Sequence, residues 1–158
     1  EYVNLSFHGM RAGKNPINVD IALSLDEKIG WVQLIKEDFT RVIINLCNNA
    51  FDAMRSKTLT DQSCNYLPKL TVTSKKEVKT ITIAVRDNGP GIPDDIKEKI
   101  LQPFFTTKKG TEGTGLGLSI TNDIIKAHGG ELNIESQVGE GLPAGEAGTA
   151  FIIQIPVV

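Results

Sequence analysis

Three polar side chains recur at helical spacing in the segment EDFTRVIINLCNNAFDAM, where they could act together as ligands. Asn45, Asn49 and Asp52 are four and three residues apart, so on a helix they form one stripe beside the apolar face. Amide oxygens suit Mg²⁺, which keeps several waters and takes its other ligands from nucleotide phosphates. The stripe therefore fits a magnesium–phosphate site at the rim of a cleft, and it equally fits a solvated helix edge.

A second candidate is the run Asp87-Asn88-Gly89-Pro90-Gly91, which follows an alternating strand pattern. Its glycines allow unusual backbone angles and a close approach of a planar ligand. Asp87, at the predicted strand end, could accept a hydrogen bond from an exocyclic amine. A tight turn without a ligand explains the same residues.

The third candidate is the glycine-rich run KKGTEGTGLGLSI, which leads directly into a predicted helix. Backbone amides at a helix amino terminus bind anions, and Lys108 and Lys109 lie just upstream. The run lacks the Gly-Lys-Ser/Thr of a Walker loop. Its spacing is G-x-G-x-G, and Leu118 stands where the dinucleotide and protein-kinase patterns require a third glycine. A loop without a ligand is the alternative.

Alternating strands and amphipathic helices must position these segments. Period-two patterns predict strands in INVDIALSL, WVQLI, KLTVTS, TITIAVR, ELNIES and TAFIIQIP. Helical periods predict helices in EDFTRVIINLCNNAFDAM, in DDIKEKIL and from Leu116 to His128. Residues 1–16 are predicted to be irregular, and residues 56–68 and 139–148 to be loops. Helices interleaved with strands imply an α+β sandwich with the helices on one sheet face.

The composition fits one soluble domain of 158 residues with a formal net charge of -2. That charge gives no support for nonspecific binding to nucleic acid or to an anionic membrane. No apolar run reaches the length of a membrane span. Cys47 and Cys64 match no metal-ligand spacing and suit a reducing compartment. We therefore expect a cytoplasmic domain, whether or not the parent protein is membrane-anchored.

Taken in order, four segments resemble the N, G1, F and G2 boxes of sensor histidine kinases: NLCNNAFDA, RDNGPGIP, PFFTTK and GTGLGLSI. The likeness runs from residue 18 to the end, so residues 1–17 are assigned to the end of a preceding linker and residues 18–158 to the ATP-binding catalytic domain. The resemblance implies the Bergerat-type fold of the GHKL superfamily. In that fold, about three helices cover one face of a mixed β-sheet, with a mobile ATP lid between the G1 and G2 boxes.

The resemblance also implies roles for individual residues. Asn49 resembles the Mg²⁺ ligand, Asn45 a second polar contact near the phosphates, and Asp87 the residue that binds the adenine amine. Phe104 and Phe105 would anchor the lid. The residues that the resemblance places around ATP and Mg²⁺ are Asn45, Asn49, Asp52, Asp87, Gly89, Gly91, Ile92, Phe104, Thr106, Thr107, Lys108, Gly113, Thr114, Gly115, Leu116, Gly117 and Leu118.

The implied reaction is in-line transfer of the γ-phosphoryl group of ATP to a histidine, with Asn45 and Asn49 in catalytic roles. The implied partners are a phosphoacceptor helical-hairpin domain of the same kinase, dimeric at full length, and a downstream response regulator. Contact with nucleic acid or membrane is not expected.

Hydrolytic members of the superfamily, such as the gyrase, Hsp90 and MutL types, carry a glutamate where this chain has Asn45. An amide cannot take a proton from water, so hydrolysis is disfavoured. Asp52 does resemble the hydrolase pattern, which keeps a GHKL-type ATPase or an anti-sigma-type serine kinase as alternatives.

Neither histidine matches the family's phosphate acceptor. His8 lies in SFHGMRAGKNP, where Gly9 replaces the acid of the motif His-Glu-Leu-Arg-x-Pro and opposes the long helix that the motif needs. His128 is interpreted as a residue of a helix end, where its position favours the helix dipole. The acceptor histidine is therefore predicted to be absent from this sequence.

Overall fold

A computed structural model describes residues 1–61, 65–106, 115–139 and 147–157. Its helices are α1 (Tyr2–Ala12), α2 (Lys36–Thr60), α3 (Asp94–Lys97) and α4 (Gly117–Ala127), with a 3₁₀ turn at Glu27–Ile29. Its strands are β1 (Asp20–Ser24), β2 (Lys69–Lys76), β3 (Thr80–Asp87), β4 (Glu131–Gln137) and β5 (Gly148–Pro156). In this part of the chain, no helix is long and apolar enough to cross a membrane.

Within the described residues, the strands form one mixed sheet in the order β1-β2-β3-β5-β4. β1 and β2 are parallel, as the crossover through α2 allows, and the other pairs are antiparallel. The register places Asp87, the last residue of β3, between Leu70 on β2 and Thr149 on β5. The candidate acceptor at the strand end is therefore flanked by strands on both sides.

α2 is the central helix, and it contacts α1, α4 and β3. Its buried side chains recur at helical spacing and include Val42, Leu46, Ala50 and Met54. They pack into one core with residues of the sheet. The predicted α+β sandwich, with helices on one face of a mixed sheet, is confirmed.

The amino-terminal segment departs from the prediction of irregular chain, because residues 2–12 form α1. Val3, Ser6 and Met10 are buried at three- and four-residue steps, and α1 contacts α2. Gly9 is tolerated because it is exposed and lies away from the buried stripe. The apolar stripe is narrow and interrupted by Ser6, so the helical period was hidden by the glycine and polar residues.

One predicted strand and the start of one predicted loop are also wrong. WVQLI forms no strand, because this stretch has no sheet neighbour, and Trp31 is fully exposed. The predicted loop at residues 56–68 begins later, since α2 continues to Thr60. The hydroxyl groups of Thr58 and Thr60 donate to helix carbonyls three or four residues back, which lets this polar stretch remain helical.

Candidate functional site

Asn45 joins α2 to the start of α4. Its half-buried amide donates from Nδ2 to the carbonyl oxygen of Gly117 and to Oγ1 of Thr121, each at 3.3 Å. Thr121 is fully buried. Because both bonds use the amide nitrogen, the carbonyl oxygen of Asn45 keeps its capacity to accept.

One turn further along α2, Asn49 is also half-buried, and its side chain makes no hydrogen bond with the described part of the chain. A partly buried amide without a protein partner retains both donors and its acceptor for a ligand. Among the described residues, no three His, Cys, Asp or Glu side chains gather as a metal cluster. A Mg²⁺ ion here would take most of its ligands from phosphates and water, which is its usual mode.

Asp52 is held in a structural contact. Its Oδ1 lies 2.7 Å from Nη1 of Arg55, and Arg55 Nε donates to the carbonyl oxygen of Asn15 at 2.9 Å. The pair therefore connects α2 with the turn that follows α1. In this structure the Asp52 carboxylate therefore has a structural partner on its own helix.

Asp87 is a buried carboxylate, with only 5% of its surface exposed. Its Oδ1 accepts a hydrogen bond from the backbone N–H of Gly89 at 2.8 Å, as aspartates before a turn commonly do. Burial raises the pKa of Asp87 to about 6, against the backbone amides of Gly89 and Thr149 and the charges of Lys57 and Arg86. The side chain is ionised at neutral pH at a cost in free energy, a feature common at functional sites.

The glycines of the turn are required by close packing. A Cβ at Gly89 would lie 2.8 Å from Asp87 Oδ1 and 3.2 Å from the Cβ of Ala53 on α2. Gly91 has φ +80°, and a Cβ there would lie 2.1 Å from the carbonyl oxygen of Gln137. Any larger residue would displace the turn from α2 or from β4.

The start of α4 is open by contrast. The Cβ position of Gly117 meets nothing closer than the Cγ of Asn45 at 4.0 Å, and no side chain of the described residues caps the helix at Leu116. Backbone amides at a helix amino terminus attract anions. This end of the site suits a phosphate group.

Gly115 packs against the backbone of Phe104, so the chain before residue 107 lies close to the chain after residue 114. Both have positive φ, +69° and 65°, and a Cβ on Gly115 would lie 2.4 Å from the carbonyl carbon of Phe104. Four predicted site residues, Thr107, Lys108, Gly113 and Thr114, lie outside the described residues, as does most of the predicted lid.

The two phenylalanines predicted to anchor the lid differ in their surroundings. Phe105 packs against the core, whereas Phe104 has a positive φ and is 75% exposed. Thr106 is exposed as well. Ile92 and Leu118 are partly buried against the core, and the Ile92 N–H donates to Ser136 Oγ at 2.6 Å.

Sequence reasoning missed two hydroxyl residues beside Asp87. Thr149 is buried and is the register partner of Asp87, and its Oγ1 lies 2.8 Å from Ser136 Oγ. Ser136 also donates to the carbonyl oxygen of Gly148 at 3.1 Å. Their isolated positions in two strands give no motif, so only the strand register could reveal them.

The two candidate ends are connected along α2. Gly117 contacts Asn45, Asn49 follows one turn later, and Ala53, a further turn on, touches Gly89 next to Asp87. From Asn45 to Ala53 the helix rises about 12 Å. The result is an elongated candidate site, with the amino terminus of α4 at one end and a buried acceptor at the end of β3.

Comparison with known proteins agrees with this geometry. Residues 35–158 match the family described as histidine kinase-, DNA gyrase B-, and HSP90-like ATPase. Sensor kinase CckA of Brucella abortus is 39% identical over 147 residues, which cover 89% of this chain and 15% of that protein. Sensor histidine kinase ZraS of Escherichia coli is 28% identical over 98% of this chain and 29% of its own length. The chain thus spans less than a third of these relatives.

A solved histidine kinase catalytic domain has the same fold over nearly its whole length. The nucleotide-free catalytic domain of histidine kinase ThkA is 30% identical, with a TM-score of 0.73 over 99% of this chain and 92% of that one. Full-length ShkA in complex with AMPPNP shares the fold, with a TM-score of 0.73 at 19% identity. The resemblance carried by the four boxes is confirmed.

Proposed function

The chain belongs to the family of histidine kinase-, DNA gyrase B- and HSP90-like ATPases, and we propose that it binds ATP with Mg²⁺ and donates the γ-phosphoryl group to a histidine on a separate phosphoacceptor domain. The observation that carries the proposal is the order of groups along α2. The amino terminus of α4, two asparagines and a buried carboxylate follow one another as phosphates, metal and base would.

At the base end, Asp87 recognises the adenine amine. An ionised carboxylate has acceptor capacity beyond the backbone amides that already contact it, and an exocyclic amine supplies the matching donor. Hydrogen bonds to charged groups are the stronger kind, so a buried aspartate can discriminate an amine from a carbonyl at this position.

At the phosphate end, the amides at the start of α4 hold the phosphates, and Asn49 offers its amide oxygen to Mg²⁺. Asn45 fixes the spacing between α2 and α4 through Gly117 and Thr121. Mg²⁺, when bound, neutralises charge on the β- and γ-phosphates. Binding and orientation are therefore the chief contributions of the protein to phosphoryl transfer.

The contacts of Asn45 and Asp52 favour transfer over hydrolysis. Position 45 carries an amide whose nitrogen is bonded to α4, and the Asp52 carboxylate is paired with Arg55. Neither is placed to take a proton from water. The acceptor domain, dimerisation through it, a response regulator and a cytoplasmic location belong to the same proposal. The much greater length of the related sensor kinases supports the first of these, a partner domain in the same protein.

Calorimetry and phosphate labelling test the proposal in two steps. The domain should bind ATP more tightly with Mg²⁺ than without, and Asn49→Ala should abolish that difference. Asn48→Ala is the matched control, because Asn48 is exposed on the same helix. With γ-labelled ATP, label should reach an added histidine phosphoacceptor domain and not His8. Rapid release of phosphate without an acceptor would instead establish an ATPase.

A further inference from the structure

A lysine near the end of α2 closes over the turn that follows β3. Lys57 Nζ donates to the carbonyl oxygens of Asn88 at 3.2 Å and Gly89 at 3.5 Å. The same ammonium lies 4.5 Å from the centroid of the Tyr66 ring. An ammonium held by two carbonyls and an aromatic face is fixed in position more firmly than a surface lysine.

Asn88 ties this turn to the segment that leads into β2. Its Oδ1 accepts from the Tyr66 hydroxyl at 3.2 Å and from the Lys69 N–H at 2.8 Å, and its Nδ2 donates to the Leu67 carbonyl oxygen at 2.8 Å. We name Lys57, Tyr66 and Asn88 the clamp. It holds the turn from one side, and the bond between Ile92 and Ser136 holds its end from the side of β4.

The charges around Asp87 identify Lys57 as the clamp residue that acts on it. Lys57 and Arg86 both lower the pKa of Asp87, with Lys57 the larger of the two, in opposition to burial. Arg86 is exposed and lies 3.7 Å from Glu135 Oε2. Burial and then the charge of Asp87 raise the pKa of Tyr66, so Tyr66 stays a protonated donor to Asn88.

We propose that Lys57 is a positioning residue of the nucleotide site, which fixes the Asp87–Gly91 turn through its two carbonyl contacts and through Tyr66. Its effect on nucleotide binding rests on the proposed function, since it acts through Asp87. Its positive charge keeps the neighbouring carboxylate ionised toward lower pH. Lys57 thereby extends toward lower pH the range in which the domain binds ATP.

Titration of the Asp87 carboxyl carbon by NMR tests the clamp without nucleotide. The wild-type midpoint should lie at about 6. In Lys57→Met the midpoint should rise by about 0.5, whereas Lys57→Arg, which keeps the charge, should stay near wild type. Arg86→Met is the matched control for removing an exposed charge, and its rise should be smaller. An unchanged midpoint in a folded Lys57→Met variant would overturn the proposal.

Calorimetry of ATP binding at pH 6 and pH 8 supplies the functional readout. Lys57→Met should lose about twofold more affinity at pH 6 than at pH 8 relative to wild type, and Lys57→Arg should restore the wild-type profile. A loss that is equal at both pH values and is not rescued by arginine would mean a merely structural role. If wild-type protein fails to bind ATP, the proposed function fails, and the carboxyl titration still decides the clamp.

Discussion

Two regions of the same helix–sheet interface differ sharply in what lines them. One is the elongated polar site, with Asp87, Thr121 and Thr149 buried along its length. The other is a cavity of about 300 Å³ near the opposite end of β3. Apart from Glu1 and Ser74, apolar and aromatic side chains line it: Tyr2, Val3, Leu23, Leu25, Ile29, Val32, Leu34, Ile43, Val72, Ile81, Ile83 and Ile155.

In this molecule, buried polar groups, which cost free energy unless they gain a partner, indicate a candidate binding site better than the size of a cavity does. Burying an ionised carboxylate such as Asp87 is costly unless it gains a partner. Ile83 and Asp87 are four residues apart on β3, about 13 Å along the strand. Over that distance the interface changes from apolar packing to groups that can orient a ligand.

The largest expected effect is the loss of nucleotide binding in Asp87→Asn. Asparagine keeps one oxygen, which can accept two hydrogen bonds, and replaces the other oxygen by an NH₂ donor. It therefore cannot accept from the Gly89 N–H, the Thr149 N–H and the adenine amine together, as the carboxylate can, and it lacks the negative charge that strengthens these bonds. ATP affinity should fall by about 1–3 kcal/mol, or roughly fivefold to more than a hundredfold, measured by calorimetry. Retained affinity would contradict the difference drawn between the two regions, because the polar site would then bury a carboxylate that contributes nothing to ATP binding.

The same substitution should make the nucleotide-free domain more stable at neutral pH. Folding raises the pKa of Asp87 from 3.8 to about 6, so the folded state holds the proton more tightly than the unfolded state. Stability from this group is therefore greatest below pH 4 and is lost as the pH rises through 6.

Asp87→Asn should be more stable than wild type by about 2–3 kcal/mol at pH 7.5, with little difference at pH 4. Urea unfolding at the two pH values measures this, and equal differences at both would contradict the ionisation argument.

The two asparagines of α2 should separate stability from binding. Asn45→Ala removes two hydrogen bonds to α4 and should lower the free energy of unfolding by about 1 kcal/mol. Asn49→Ala removes no hydrogen bond to the described chain, so its stability should change by less than about 0.5 kcal/mol while its Mg²⁺-dependent ATP affinity falls. The reverse pattern would exchange the roles of the two residues.

The smallest effect on binding is expected at the apolar cavity. Ile155 is buried and lines it, so Ile155→Val should cost about 1 kcal/mol of stability. ATP affinity should remain that of the wild type, because no polar group of the elongated site moves. A loss of affinity on this substitution would show that the two regions are coupled.

Apart from α1 and the stretch WVQLI, the order of the elements was predictable from the sequence. Strand alternation, the helical period of α2 and the four boxes are local patterns, so they survive without knowledge of tertiary contacts. Asp87 was placed correctly at a strand end because the turn DNGPG ends the alternating run.

What sequence could not supply are contacts between distant segments. Lys57 meets Asn88 across 31 residues, and Thr149 becomes a neighbour of Asp87 only through the register of β3 and β5. The strand predicted for Trp31–Ile35 failed for a related reason, since a short apolar run becomes a strand only beside a pairing partner. The positive φ of Phe104 and its exposure are likewise specified by no pattern in the sequence.

We propose that Asp87 accepts a hydrogen bond from the exocyclic amine of an adenine base, and a change of nucleotide tests this without altering the protein. Wild-type domain should be titrated with ATP and with inosine triphosphate, which has a carbonyl oxygen in place of the exocyclic amine, both with Mg²⁺ at pH 7.5. ATP should bind at least about tenfold more tightly, because the inosine carbonyl would face an ionised carboxylate. Equal affinity for the two nucleotides would contradict the account.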